Sequence, residues 1–218
     1  RVMANLLGLL YLASPTLPIG SFAYSQGLEK AIENEAVSDR ESLLKWCRDF
    51  MSIGLAYLDL PLLRQINQAI REVNQRQLDS INQVVFASRE TAELYMEEVN
   101  LGQSLKRLIM TQELKVEGMD MPQKPSFLVG YAWAANALDL SQEELETAFL
   151  WSWLENQTAV ACKAIPLGQT DAQAILLALR PVISHVVGST RSEIAGSLPG
   201  QVLFIAQHET QYSRLFRS

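Results

Sequence analysis

Apolar residues recur every three and four positions over most of this chain, and that recurrence predicts helices. The clearest run begins after Ser38. There "SDRE" reads as a capping box closed by Glu41, and Leu43, Leu44, Cys47, Phe50, Met51, Gly54, Leu55 and Leu58 follow on one face. Asp59 is placed to cap the next helix, with Pro61 in its first turn and Leu62, Leu63, Ile66, Ala69, Ile70 and Val73 along the buried stripe. Two more helices are predicted, one near Leu78 to Ser88 and one from about Arg89 to Leu114, before the turn-rich "KVEGMDMPQKPS".

The second half restarts at Ser126. In "FLVGYAWAANAL" Gly130 and Ala134 stand four apart, so a neighbouring helix is expected to approach closely there. "SQEE", Ser141 to Glu144, is a second capping box, and it launches a run to Ala164 that is apolar nearly all round, as a central helix would be. After Pro166 and Gly168 the next helix carries Ala172, Ile175, Leu176, Leu179, Ile183 and Val186 on one face, with a kink expected at Pro181. The opening "RVMANLLGLLYL" reads as a core helix, and only "QVLFIA" alternates like a strand. No repeat of roughly 20–50 residues is visible. The prediction is an all-α fold of nine or ten helices in one domain over residues 1–218, with 189–218 a linker and C-terminal tail.

Composition narrows the function classes. The chain has 48% hydrophobic and 19% charged residues, the profile of an ordinary globular protein. Its 18 basic and 24 acidic residues leave a net charge of −6, and no basic cluster is present to bind nucleic acid. No stretch approaches the ~20 apolar residues of a membrane span. Cys47 and Cys162 stand alone, as expected of buried thiols in a reducing cytoplasm.

Catalytic chemistry finds no foothold. The two histidines, His185 and His208, lie in no metal-binding spacing, and His185 sits on an apolar helix as a structural residue. There is no Glu-x-x-His pair and no Asp-rich magnesium motif. The glycines of "PIGSFAYSQG" lack the strand and the Lys-Ser/Thr of a phosphate loop. No catalytic, metal-ligating or cofactor-binding residue is therefore predicted.

Three features remain. Glu90, Glu93, Glu97 and Asn100 line one helix face, as a solvated stripe or an acidic surface for a partner. Lys163 closes the most apolar helix, where a cation is welcome as a cap or as part of an interface. The ending "QHETQYSRLFRS" carries Tyr212, Arg214, Leu215, Phe216 and Arg217, residue types common at interface hot spots. That segment folds back on its own core or docks into a partner, and the Gly/Ser/Pro-containing stretch from Gly188 to Gly200, a linker that would let it move, favours the partner.

Near the start, "LASPTLPIGSFAYSQGLE" is dense in turn residues. Pro15 and Pro18 end the first helix, Gly20 gives backbone freedom and Ser21 is a natural N-cap. Tyr24, Leu28, Ala31 and Ile32 then form a buried stripe, with Ser25, Gln26 and Glu29 on the other side.

This block, with "SRETAELYMEEVNLG", "CKAIPLGQ" and "QHETQYSRLFRS" in the same order, resembles the UreF family of urease accessory proteins over nearly the whole chain. The resemblance implies an all-α homodimer with a non-enzymatic role in maturing the nickel centre of urease. It implies partnership with the accessory protein UreD, also called UreH. It further implies recruitment of the GTPase UreG to the urease apoprotein, coupling GTP state to nickel delivery. GTP would belong to UreG and nickel would pass only transiently. Carried onto this chain, the partner-binding residues would be Tyr212, Ser213, Arg214 and Phe216 in the last block and Tyr24, Gln26 and Glu29 in the first. Lys163 and Gln169 would come from the third block and Glu93 and Glu97 from the second. An arginine finger from Arg214 or Arg217 is one way such a protein would act on the GTPase. The competing readings are a stand-alone all-α enzyme of the isoprenoid kind, disfavoured by the missing Asp-rich motifs, and a generic helical interaction module.

Overall fold

Helix boundaries in this chain follow local capping chemistry. The computed structural model describes residues 2–189, 199–209 and 214–217, and in them ten α-helices and no strand. They are α1 (Val2–Leu12), α2 (Leu28–Glu33), α3 (Arg40–Asp49), α4 (Asp59–Arg71), α5 (Gln75–Ala87), α6 (Ala92–Thr111), α7 (Phe127–Ala137), α8 (Gln142–Ala164), α9 (Gln169–Gly188) and α10 (Pro199–His208). Ser126, Thr91 and Asn74 each accept a backbone N–H from the first turn of the helix they precede. Ser141 and Glu144 form the predicted capping box, with the Ser141 N–H donating to Glu144 Oε2 at 2.7 Å. That bond holds the Glu144 carboxyl below its ordinary range.

Four expectations shift. The cap of α3 is Asp39 with Ser42, one residue on from Ser38, because the Asp39 carboxylate accepts the Ser42 N–H at 2.8 Å from an extended backbone. Asp59 opens α4 but caps nothing; its carboxylate reaches Arg89 instead. "QVLFIA" is helical, inside α10. The fourth concerns α1, which is no core helix. Val2, Met3, Leu6, Leu7, Leu10 and Tyr11 are exposed, and only Gly8 and Leu12 are buried against the body.

One hydrophobic cluster runs through all parts of the bundle. As its apolar circumference requires, α8 is central and touches α1, α2, α3, α4, α7 and α9. Two glycines mark a close approach between α6 and the start of α7. A Cβ on Gly102 would sit 2.1 Å from the Pro125 carbonyl oxygen, and one on Gly130 3.1 Å from Leu105, as the Gly130 spacing anticipates. The loop between α6 and α7 is pinned by Asn82, which donates to the Lys124 carbonyl at 2.9 Å and accepts the Ser126 N–H at 2.8 Å. The two halves thus share one core.

Candidate functional site

The turn-rich N-terminal block folds into a specific path. Gly20 is left-handed, Ser21–Ala23 make one 3-10 turn, and Gln26 and Gly27 take φ values of 53° and 84° before α2 starts at Leu28. Two successive left-handed residues stop any helix from running through them, so α2 begins seven residues after Ser21 and has no side-chain cap. Glycine is required at 27 for a second reason. A Cβ there would lie 2.8 Å from Ile205 Cγ1, so α10 seats directly on this backbone.

Beside that contact lies a buried charge cluster. Glu29, on the first turn of α2, accepts from the Leu215 N–H at 2.6 Å, the Phe216 N–H at 3.0 Å and His208 Nε2 at 3.0 Å. The other ring nitrogen, Nδ1, lies 2.9 Å from Glu93 Oε2, and Glu93 Oε1 accepts from Arg214 at 2.6 Å. His208 is fully buried, so an imidazole between two carboxylates links α2, α6, α10 and the C-terminal segment. A carboxylate oxygen thus stands within hydrogen-bond distance of each ring nitrogen. Glu209 adds a cap, its carboxylate accepting the Glu93 N–H at 3.2 Å in the first turn of α6.

The C-terminal segment therefore docks on its own chain. Phe216 is buried, the Lys163 ammonium lies 5.9 Å from its ring centroid, and the Arg217 N–H donates to the Ala23 carbonyl at 2.7 Å. Ordering the backbone of four residues costs about 4–8 kcal/mol. Burying Phe216 returns about 1.5–3 kcal/mol and the two N–H bonds to the Glu29 carboxylate about 1.5–3 each. The two sides match within a few kcal/mol, so each anchor decides whether the segment stays down.

A second network lies deeper. Trp153 Nε1 donates to Gln26 Oε1 at 2.7 Å, and Gln26 Nε2 donates to Glu97 Oε1 at 2.7 Å. Asn100 donates to the Tyr24 hydroxyl, Asn156 to the Tyr24 carbonyl and Gln157 to the Ser25 carbonyl. The polar side of the first block is thus turned inward: Ser25 and Glu29 are buried, as is Glu97 of α6 opposite them, where the periodicity places Ser25 and Glu29 away from the core. Glu93, Glu97 and Asn100 do share a face, but it meets the N-terminal block and the tail rather than solvent; Glu90 alone of the four is exposed.

Further in, Arg89 Nη2 pairs with Asp59 and Glu98, each at 2.8 Å. Burial pulls the guanidinium down, and the two carboxylates more than reverse this, leaving it above its ordinary value. Burial pushes the Glu98 carboxyl up against the opposing charge of Arg89. Among the described residues no group of His, Cys, Asp and Glu is arranged to hold a metal ion, and no helix is long and apolar enough to cross a membrane.

The fold brings Glu29, Glu93, Lys163, Arg214 and Phe216 together around the docked segment, and Tyr24, Gln26 and Glu97 into the adjoining network. Gln169 stands at the exposed start of α9, away from both networks, and Tyr212 and Ser213 lie outside the described residues. His208 and Trp153 are the residues to which sequence reasoning gives no part in a site, and Arg89, which falls in the second block of the resemblance, is not among its partner-binding residues. His208 lies in the same C-terminal block as Arg214, but nothing in its spacing marks it as buried.

Comparison with known proteins gives one answer. The family model described as UreF matches residues 37–180. The chain is 43% identical over 217 residues to a protein of Chromohalobacter salexigens named urease accessory protein UreF, covering 98% of this chain and 94% of that one. Relatives of the same name from Marinobacter nauticus and Hahella chejuensis are each 42% identical, covering 98% of this chain and 94% and 98% of their own lengths. These relatives are named as accessory proteins and not as enzymes.

Proposed function

The chain belongs to the UreF family of urease accessory proteins, and from that premise we propose that it is a dimeric cytoplasmic adaptor in nickel delivery to urease. In this reading it joins UreD/UreH, recruits the GTPase UreG to the urease apoprotein, and couples the nucleotide state of UreG to release of the nickel cargo. GTP and the final metal ligands belong to the partners.

The observation that carries the reading is the composite surface where the first and last sequence blocks meet. Arg214, Leu215 and Arg217 are exposed on it, and Lys163 stands beside them over Phe216. A cluster of three cations and an apolar residue on a chain of net charge −6 is a partner-facing patch rather than average surface. Its integrity depends on Glu29, Glu93 and His208 beneath, so buried residues of the first and second blocks act by holding the last one in place. Arg214 is already tied to Glu93. That tie favours Arg217 for any contact made with the nucleotide pocket of a GTPase.

The test is co-expression of urease with its maturation proteins, with this chain present, absent, changed by Arg214→Ala, or truncated before residue 210. Urease nickel content and activity should fall without the chain and fall in both variants. Full activation without the chain would sink the reading, whereas full activation by the truncated chain would sink only the role of the patch.

A further inference from the structure

Between the 3-10 turn Ser21–Ala23, the start of α6 and the middle of α8 lies a cavity of about 180 Å³ that runs inward to Phe149 and Tyr131. Its walls are mainly apolar, yet five carboxyl groups and one guanidinium line it. The guanidinium, Arg89, is already committed to Asp59 and Glu98. Glu97 takes the Gln26 amide. That leaves Glu90, exposed, and Glu155, whose Oε2 is buried and accepts no hydrogen bond among the described residues. Burial also pushes the Glu155 carboxyl up, and a hydrogen bond with the Trp151 side chain offsets this only in part. Phe22, 64% exposed, lines the same cavity.

We propose that this groove receives a lysine- or arginine-bearing segment of a partner protein, whose aliphatic stem lies along Phe22 and Leu94 and whose cationic head pairs with Glu155. The inference rests on the adaptor reading above, because it supposes a partner. The space is smaller than the roughly 300 Å³ and upward of sites for drug-sized ligands, so a nucleotide does not fit and one long side chain does. Apolar walls with an acid at depth suit an amphipathic side chain better than a neutral apolar one. An aromatic ring at the rim adds a face on which a cation rests favourably. Bound metal is a poorer match, since these carboxyls are not grouped to hold an ion.

The experiment places a photoreactive benzoylphenylalanine at position 22 of the full chain and crosslinks it within the assembly formed from purified UreD/UreH, UreG and urease apoprotein. In parallel, affinity for the same proteins is measured across salt concentrations for the wild type, Glu155→Gln and Leu94→Trp, which fills the groove. The proposal expects crosslinks to a segment with Lys or Arg within a few residues. It also expects about tenfold or greater weakening by Glu155→Gln, with a flatter salt dependence, and weakening by Leu94→Trp. Wild-type affinity and salt dependence in a folded Glu155→Gln protein would overturn it. So would crosslinks to a segment without a cation, or nickel binding by the isolated chain that Glu155→Gln removes. If the wild-type chain joins none of these proteins, the adaptor reading falls first and the groove proposal with it.

Discussion

His208 Nε2 lies 3.0 Å from Glu29 Oε2, a contact that closes a loop of 179 residues and buries an imidazole against a carboxylate at the seat of the C-terminal segment. The same carboxylate holds the Leu215 and Phe216 amides. One side chain therefore fixes both α10 and the residues beyond it.

Glu29→Ala is expected to release the segment without unfolding the bundle. It removes three hydrogen bonds and leaves the buried His208 Nε2 without its acceptor, a loss of about 3–5 kcal/mol, which exceeds the docking balance of the tail but not the stability of a domain. Hydrogen exchange would show the Leu215 and Phe216 amides losing protection while those of α7 and α8 keep theirs. Unchanged protection at 215 and 216 would contradict the role given to Glu29.

Gly27→Ala should displace α10. The new methyl meets Ile205 at 2.8 Å and must adopt φ of +84°, and together these cost about 2–4 kcal/mol. In a chain of this size the thermal midpoint should fall by roughly 4–12 °C. Urease activation should fall with it, because the proposed partner patch is built on that seat.

The glycines separate into two kinds. Gly102→Ala drives a Cβ to 2.1 Å from the Pro125 carbonyl oxygen, a backbone atom that has no rotamer to change, so the α6–α7 pair must part and soluble yield should collapse. Gly168→Ala meets only Asp171 Oδ2 at 3.9 Å, and its stability should stay within about 0.5 kcal/mol of wild type. Equal expression of the two variants would refute the close-approach argument.

Arg89→Met tests the buried triad. It leaves Asp59 and Glu98 buried without their cation, at a cost of about 3–5 kcal/mol at neutral pH. The Glu98 carboxyl already stands above its ordinary value and would rise further. A raised carboxyl stabilises the fold below the ordinary carboxylate range and loses that contribution as pH rises through the folded value. Denaturant titrations should therefore show the variant recovering stability as pH falls from 7 toward 5, more steeply than wild type. A pH-independent difference would argue that Arg89 acts through packing alone.

Glu155→Gln should make the isolated chain slightly more stable while weakening it as a partner. The burial-raised carboxyl favours the protonated fold, so its ionised form is a small burden that grows as pH rises, and an amide removes it. The thermal midpoint of the variant should exceed that of wild type by about 1–3 °C at pH 8 and by less at pH 5. A variant less stable than wild type at pH 8 would mean that the Trp151 hydrogen bond to Glu155 outweighs the burial of its charge.

What the sequence by itself determines here is helical grammar. The three-four spacing from Leu43 to Ile70, the Ser141 and Glu144 capping box, and the all-round apolar run of α8 depend on neighbours within a turn, and the structure realises each; Val73, expected on the same stripe, lies beyond the end of α4 at positive φ and is exposed. Caps depend on which of two adjacent side chains wins a bond, which is why Asp39 displaces Ser38. Which face turns inward was settled elsewhere. The polarity of Gln26, Glu29, Glu93 and Glu97 reads as solvent exposure, yet each of them bonds to a residue more than 70 positions away. An apolar first helix reads as core, yet α1 lies on the outside with most of its apolar side chains uncovered. Periodicity records the contrast between faces but not what stands opposite them. Only the tertiary structure, by bringing α2, α6, α10 and residues 214–217 to one place, decided that polar residues in three separate blocks form a single buried clamp.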